Sequence, residues 1–148
     1  MDIYNLVWPH GFKFFNAHTK NEALTHMIRH AATNPSVNDA AALEEGILER
    51  ERIISTGIGL GVALPHAKLP TVKNFFISVG ILGNGVDWDA TDEQPVRLIF
   101  MIVGPDNQQN QYLQILAKLS QIIKNKDLRE QIASAKTAEE ALKIFAPF

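Results

Sequence analysis

Cysteine is absent from the 148 residues. Disulfides, thiol nucleophiles and cysteine-ligated zinc or iron–sulfur centres are therefore excluded, and the absence fits a reducing compartment. Long apolar runs are missing too, since none approaches the roughly 20 residues that a membrane span needs. Between Met1 and Phe15 the aromatics are interrupted by Asp2, Pro9, His10 and Lys13, so the order of a signal peptide is lacking. Basic residues are scattered without a block and the net charge is −2, which sets aside nucleic acid and anionic membranes as partners. What is present, 46% hydrophobic and 20% charged residues, is the composition of a folded chain whose length suits one domain. The expectation is a cytoplasmic domain over residues 1–148 with no direct membrane insertion.

Along the chain, residues 1–16 show no clear period, and Phe12, Phe14 and Phe15 suit a short strand or a cover over a sheet edge. Thr19 followed by Glu22 has capping-box spacing, and Ala23, Leu24, Met27, Ile28 and Ala31 then repeat as one helical face. His26 and His30 lie four apart on that helix, a chelating spacing without a third ligand nearby. After the turn Asn34-Pro35-Ser36, Asn38 or Asp39 caps a second helix running to about Arg52. Val62 to Leu64 reads as a short strand that Pro65 stops, because proline gives no amide to a ladder.

Phe75–Leu82 and Val96–Val103 are apolar runs of the kind buried on both faces of a sheet. Gly83-Asn84-Gly85 suggests a hairpin turn between them, and Asp87-Trp88-Asp89 a packed tryptophan with turn-closing aspartates. Tyr112, Leu113, Leu116, Leu119, Ser120 and Ile123 share one side of the longest helix, whose start, Gln108 to Gln111, is polar and uncharged. Asp127 suggests the cap of a short helix, and Thr137 with Glu140 a second capping box. These parts predict an α/β (α+β) fold, a mixed sheet of about five strands flanked by helices.

The chemistry concentrates between Arg50 and His66. Three alternating glycines, Gly57, Gly59 and Gly61, do not complete a dinucleotide fingerprint, which needs glycine where Val62 stands, and no Gly-Lys-Ser/Thr follows for a Walker loop. Their amides suit an anion-binding nest or a plain bend. His66, with an ordinary pKa of about 6.5, is largely neutral and nucleophilic near neutrality. Metal binding lacks partners, because the other four histidines all precede residue 31. General-base catalysis lacks an orienting carboxylate fixed by local spacing. Phosphoryl carriage asks only for a neutral ring nitrogen, phosphate donors and a cation, which Ser55, Thr56, Gly57 and Arg50 are placed to supply.

Arg50-Glu51, Ser55-Thr56-Gly57-Ile58-Gly59 and Gly61-Val62-Ala63-Leu64-Pro65-His66 together resemble the signature of enzyme IIA of the fructose/mannitol/nitrogen class in the bacterial phosphotransferase system. Gly85-Val86-Asp87-Trp88, Pro95-Val96, Leu98–Val103, Pro105 and the leucines 113, 116 and 119 extend the resemblance over roughly residues 20–145. It implies a phosphohistidine on His66, Arg50 stabilising the phosphate, and Ser55 and Thr56 as donors. It also implies HPr as phosphoryl donor, a IIB component or a regulatory protein as acceptor, and no metal or organic cofactor. With no IIB segment attached, a nitrogen-regulatory protein is expected over a sugar carrier.

One position departs from that pattern. Where the family carries a second active-site histidine, this chain has Tyr112. Its phenol, with an ordinary pKa of about 10, donates a hydrogen bond but brings no positive charge. The alternative function that this substitution keeps open is a IIA-fold regulatory binding module without phosphoryl turnover.

Overall fold

Two long apolar strands, buried on both faces, set the architecture. The computed structural model describes residues 2–148. A 3-10 turn, Ile3–Asn5, leads into strand β1, Val7–Phe15. Helices α1, Lys20–Ala31, and α2, Ala40–Ile53, are followed by three short strands, β2, Gly57–Gly59, β3, Val62–Ala63, and β4, His66–Lys68. Strands β5, Phe76–Val86, and β6, Val96–Gly104, precede helices α3, Gln109–Ile123, α4, Lys126–Ser134, and α5, Ala138–Phe145. The sheet has six strands, in order β1-β5-β6-β3-β2, with β4 also paired to β6. It is mixed: β1 runs parallel to β5, β5 antiparallel to β6, and β3 and β4 parallel to β6.

Side chains alternate across a sheet, so β5 and β6 feed two cores. Ile77, Val79, Ile81, Leu98, Phe100 and Ile102 meet Ile115, Leu119 and Phe145 on the α3–α5 side. Leu82, Ile99, Met101 and Val103 meet Met27, Ile28, Leu43 and Ile47 on the α1–α2 side. Both capping boxes form. Thr19 Oγ1 accepts from the Glu22 amide at 3.1 Å and Thr137 Oγ1 from the Glu140 amide at 3.1 Å. Asp39 caps α2 by accepting from the Ala42 amide.

Several sequence expectations give way. Residues 7–15 form a full sheet-edge strand, beyond the short strand that their lack of period suggests; a bulge between Val7 and Phe12 scrambles the alternation. Gly83-Asn84-Gly85 is no hairpin turn but part of β5. The Asn84 side chain there accepts from the Ala17 amide and donates to the Ala17 carbonyl, and a Cβ at Gly85 would press within 2.7 Å of Pro95. Asn125, not Asp127, caps α4, its side chain accepting from the Leu128 amide at 3.1 Å. Leu113 is 52% exposed, and Ile115 and Ile122 take the buried stripe of α3.

Pro65 does not stop the sheet either. Ala63 lies opposite Ile99 and His66 opposite Ile102, three residues on along both chains, so β3 and β4 keep one register on β6. The Pro65 carbonyl still accepts from the Ile102 amide at 3.0 Å. Proline loses only a donor, and this position needs an acceptor.

Candidate functional site

His66 opens β4 half-buried. Ala67 faces the α1–α2 core, so alternation sends His66 and Lys68 to the opposite face, beneath α3. There Tyr112, in the first turn of α3, lies with its ring centroid 5.5 Å from that of His66. Tyr112 is 7% exposed and stacks on Phe75 at 6.3 Å. One ring therefore both packs into the core and walls the histidine.

The tautomer of His66 follows from its partner. Nδ1 lies 3.1 Å from the Leu64 carbonyl, which can only accept, so Nδ1 carries the proton and Nε2 keeps its lone pair. Burial holds the ring below its ordinary pKa, partly offset by the Leu64 carbonyl; the charges of Arg50 and Lys68 lower it further, and Glu51 opposes them. Burial raises the Tyr112 phenol, with Arg50 pulling the other way, so the hydroxyl stays protonated at neutral pH.

Arg50 sits in the last turn of α2, where a cation complements the helix C-terminus. Its Nη1 donates to the Ile54 carbonyl at 3.2 Å, and its charge reaches both His66 and Tyr112. Lys68 is the second cation felt by His66. Its Nζ lies 4.3 Å from the centroid of the Tyr112 ring and donates to Gln109 Oε1 at 2.6 Å.

The hydroxyls of Ser55 and Thr56 and the amides of Thr56 and Gly57 are spent inside the fold. Ser55 Oγ donates to the Trp88 carbonyl at 2.5 Å and accepts from the Gly57 amide at 3.1 Å. Thr56 is 4% exposed; its amide and hydroxyl both donate to the Glu51 carboxylate, at 2.8 and 2.6 Å. Lys20 Nζ reaches that carboxylate at 2.6 Å, and the buried Trp88 Nε1 donates to Thr56 Oγ1 at 3.2 Å. This network joins α1, the end of α2 and the segment after β5 around one buried carboxylate.

The glycine nest dissolves as well. Gly57–Gly59 and Val62–Ala63 pair as a hairpin whose tip has positive φ at Gly59, Leu60 and Gly61. The Leu60 amide already donates to Asp92 Oδ2 at 3.0 Å. Val62 lies opposite Leu98 and His66 opposite Ile102. Four residues of strand put the hairpin tip about 13 Å along the sheet from the imidazole. His26 stacks on Phe15 and His30 on Trp8, so their helical spacing serves packing against β1.

Sequence reasoning missed Lys68 and the work of Glu51. Lys68 was findable by reading strand alternation past Pro65, which puts residues 66 and 68 on one side. The reach of Glu51 to residue 56 across a chain reversal has no local signal.

Three comparisons bear on this geometry. A family described as "Phosphoenolpyruvate-dependent sugar phosphotransferase system, EIIA 2" matches residues 12–147. The fructose-specific EIIABC component of Bacillus subtilis is 34% identical over 97% of this chain, which spans 23% of that protein's length. A nitrogen regulatory protein homolog of Haemophilus influenzae is 34% identical, with 98% of this chain and 91% of that protein covered. Among solved structures, the nitrogen regulatory protein IIA-Ntr of Neisseria meningitidis superposes with a TM-score of 0.89 at 28% identity, covering 97% of this chain and 99% of that one.

Proposed function

This chain belongs to the EIIA 2 family of the phosphoenolpyruvate-dependent sugar phosphotransferase system, and on that premise we propose that it carries a phosphoryl group on Nε2 of His66. The observation that carries the reading is the Nδ1–H bond to Leu64, which leaves Nε2 as the unprotonated nitrogen of a ring that feels the Arg50 charge and neighbours Tyr112.

The phosphorylated donor is an HPr-type protein. Nε2 attacks phosphorus in line with the donor's P–N bond; that bond breaks, its electron pair returns to the donor nitrogen, and a new P–N bond forms on His66. Nδ1 keeps its proton throughout, and the Leu64 carbonyl steadies the positive charge that builds on the ring. The guanidinium of Arg50 and the Tyr112 hydroxyl take phosphoryl oxygens, in a reaction that is mostly positioning and charge stabilisation. Ser55, Thr56 and Gly57 hold the end of α2 in place through Glu51 and Trp88 rather than touching phosphate.

Ile53, Ile54 and Leu113 are 73%, 61% and 52% exposed, and they neighbour Arg50 and Tyr112 in sequence. Such a rim fits docking by a protein rather than a free metabolite. The acceptor is a IIB component, as the A, B and C of the Bacillus relative's name suggest, or a regulatory protein, as the Haemophilus and Neisseria names suggest. Incubation with enzyme I, HPr and phosphoenolpyruvate is expected to put acid-labile phosphate on the wild type and none on His66→Gln. An unlabelled wild type would leave the binding-module reading, which the neutral phenol at position 112 favours.

A further inference from the structure

We propose that Lys68 is a catalytic residue of this carrier, its ammonium leaving the face of Tyr112 to bind a phosphoryl oxygen on His66. The inference rests on the carrier reading above and goes beyond it by naming the group that replaces a charge Tyr112 cannot bring.

Three charges reach the imidazole. Arg50 and Lys68 are positive and Glu51 is negative. Of these the Arg50 charge is felt most and the Glu51 charge least, yet the arriving phosphoryl group brings up to about two negative charges into a half-buried place, more than one cation offsets. Tyr112 is neutral and held so by burial, so it donates a hydrogen bond without compensating charge. Lys68 is the second available cation, because Lys20 is held by Glu51 while Lys68 is felt by His66 beside Arg50.

Geometry supplies the route. Residues 66 and 68 lie on one face of one strand, about 7 Å apart along it, within the reach of a lysine side chain. The Tyr112 ring neighbours both groups, its centroid 5.5 Å from that of the imidazole and 4.3 Å from Nζ. In the unphosphorylated protein the ammonium rests on that π face and on Gln109 Oε1. Both partners are neutral, and Gln109 is exposed. A phosphoryl oxygen is a charge-assisted partner and outcompetes them. Lysine suits the task because its ammonium is a point charge on a flexible stem that binds phosphate without a fixed fork. No bond to Lys68 forms or breaks; it contributes charge as the P–N bond forms at Nε2.

The test is the steady-state and single-turnover transfer from phosphorylated HPr to four proteins: wild type, Lys68→Ala, Lys68→Arg and the double variant Lys68→Ala with Tyr112→His. Circular dichroism melts identify variants that remain folded. Lys68→Ala should lower kcat about 10- to 100-fold while KM for the donor moves less than about threefold, since the lost contact exists only once phosphate arrives. Lys68→Arg should return to within about threefold of wild type. The double variant should recover part of the loss below a histidine pKa of about 6.5 and none of it well above. Lys68→Ala transferring at the wild-type rate, losing only KM, or matching Lys68→Arg would overturn the lysine's role and leave the carrier intact. A wild type that accepts no phosphate would overturn both.

Discussion

At the scale of single residues the informative quantity is the protonation of His66. Burial, aided by Arg50 and Lys68, holds the ring below its ordinary pKa, so the proposed nucleophile is expected to survive mild acid. The acid limb of the transfer rate against pH is expected below pH 6.5, the ordinary value being about that. The sign for stability follows from the same shift. As pH falls below about 6.5, the unfolded chain binds a proton that the folded ring refuses, so stability declines until the folded value is passed. Arg50→Gln removes one lowering charge and should raise the His66 pKa in an NMR titration of its ring protons. An unchanged or lowered value would mean that the guanidinium does not act on this imidazole.

Among elements, the junction of α2, β2 and the loop after β5 is the one most exposed to a single change. Glu51 takes three donors there, from Thr56 twice and Lys20 once. Glu51→Ala leaves a partly buried ammonium and two unpaired donors, a loss of about 3–5 kcal/mol by analogy with other broken buried pairs. A urea melt measures it, and a change below about 1 kcal/mol would show the network to be dispensable. Legibility was uneven at this scale. Thr19, Asp39 and Thr137 could be read as caps because a cap and its amide sit three residues apart in sequence. Likewise β5 and β6 announce themselves through uninterrupted apolar runs. Gly83 to Gly85 misled, because a glycine pair marks either a turn or a close approach, and the neighbours that decide, Asn16 and Pro95, are distant in sequence.

For the whole molecule, the sheet divides the interior into two cores, and the proposed phosphoryl site lies largely beside one of them. His66, Lys68 and Tyr112 share the α3 side, while Arg50 comes from the last turn of α2 and its charge is felt by both His66 and Tyr112. The general form, a mixed sheet between helices, was readable from apolar periodicity alone, and His66 and Arg50 enter the proposed site through the resemblance. The strand pairing was not: β1 at an edge and β4 continuing β3 depend on a bulge and on a shared register that only tertiary contacts fix. Among the described residues no helix is long and apolar enough to cross a membrane.

That common register turns residues 62 to 68 into a ruler with two sides. Inserting one alanine between Leu64 and Pro65 would keep the hydrogen-bonded rows available yet present the imidazole to α1 and α2 instead of α3. A labelling assay on such a folded variant should read zero, whereas a two-residue insertion should restore the side but not the reach. The chain can thus vary the lengths of its surface connections freely, but between Val62 and Lys68 its spelling is metric.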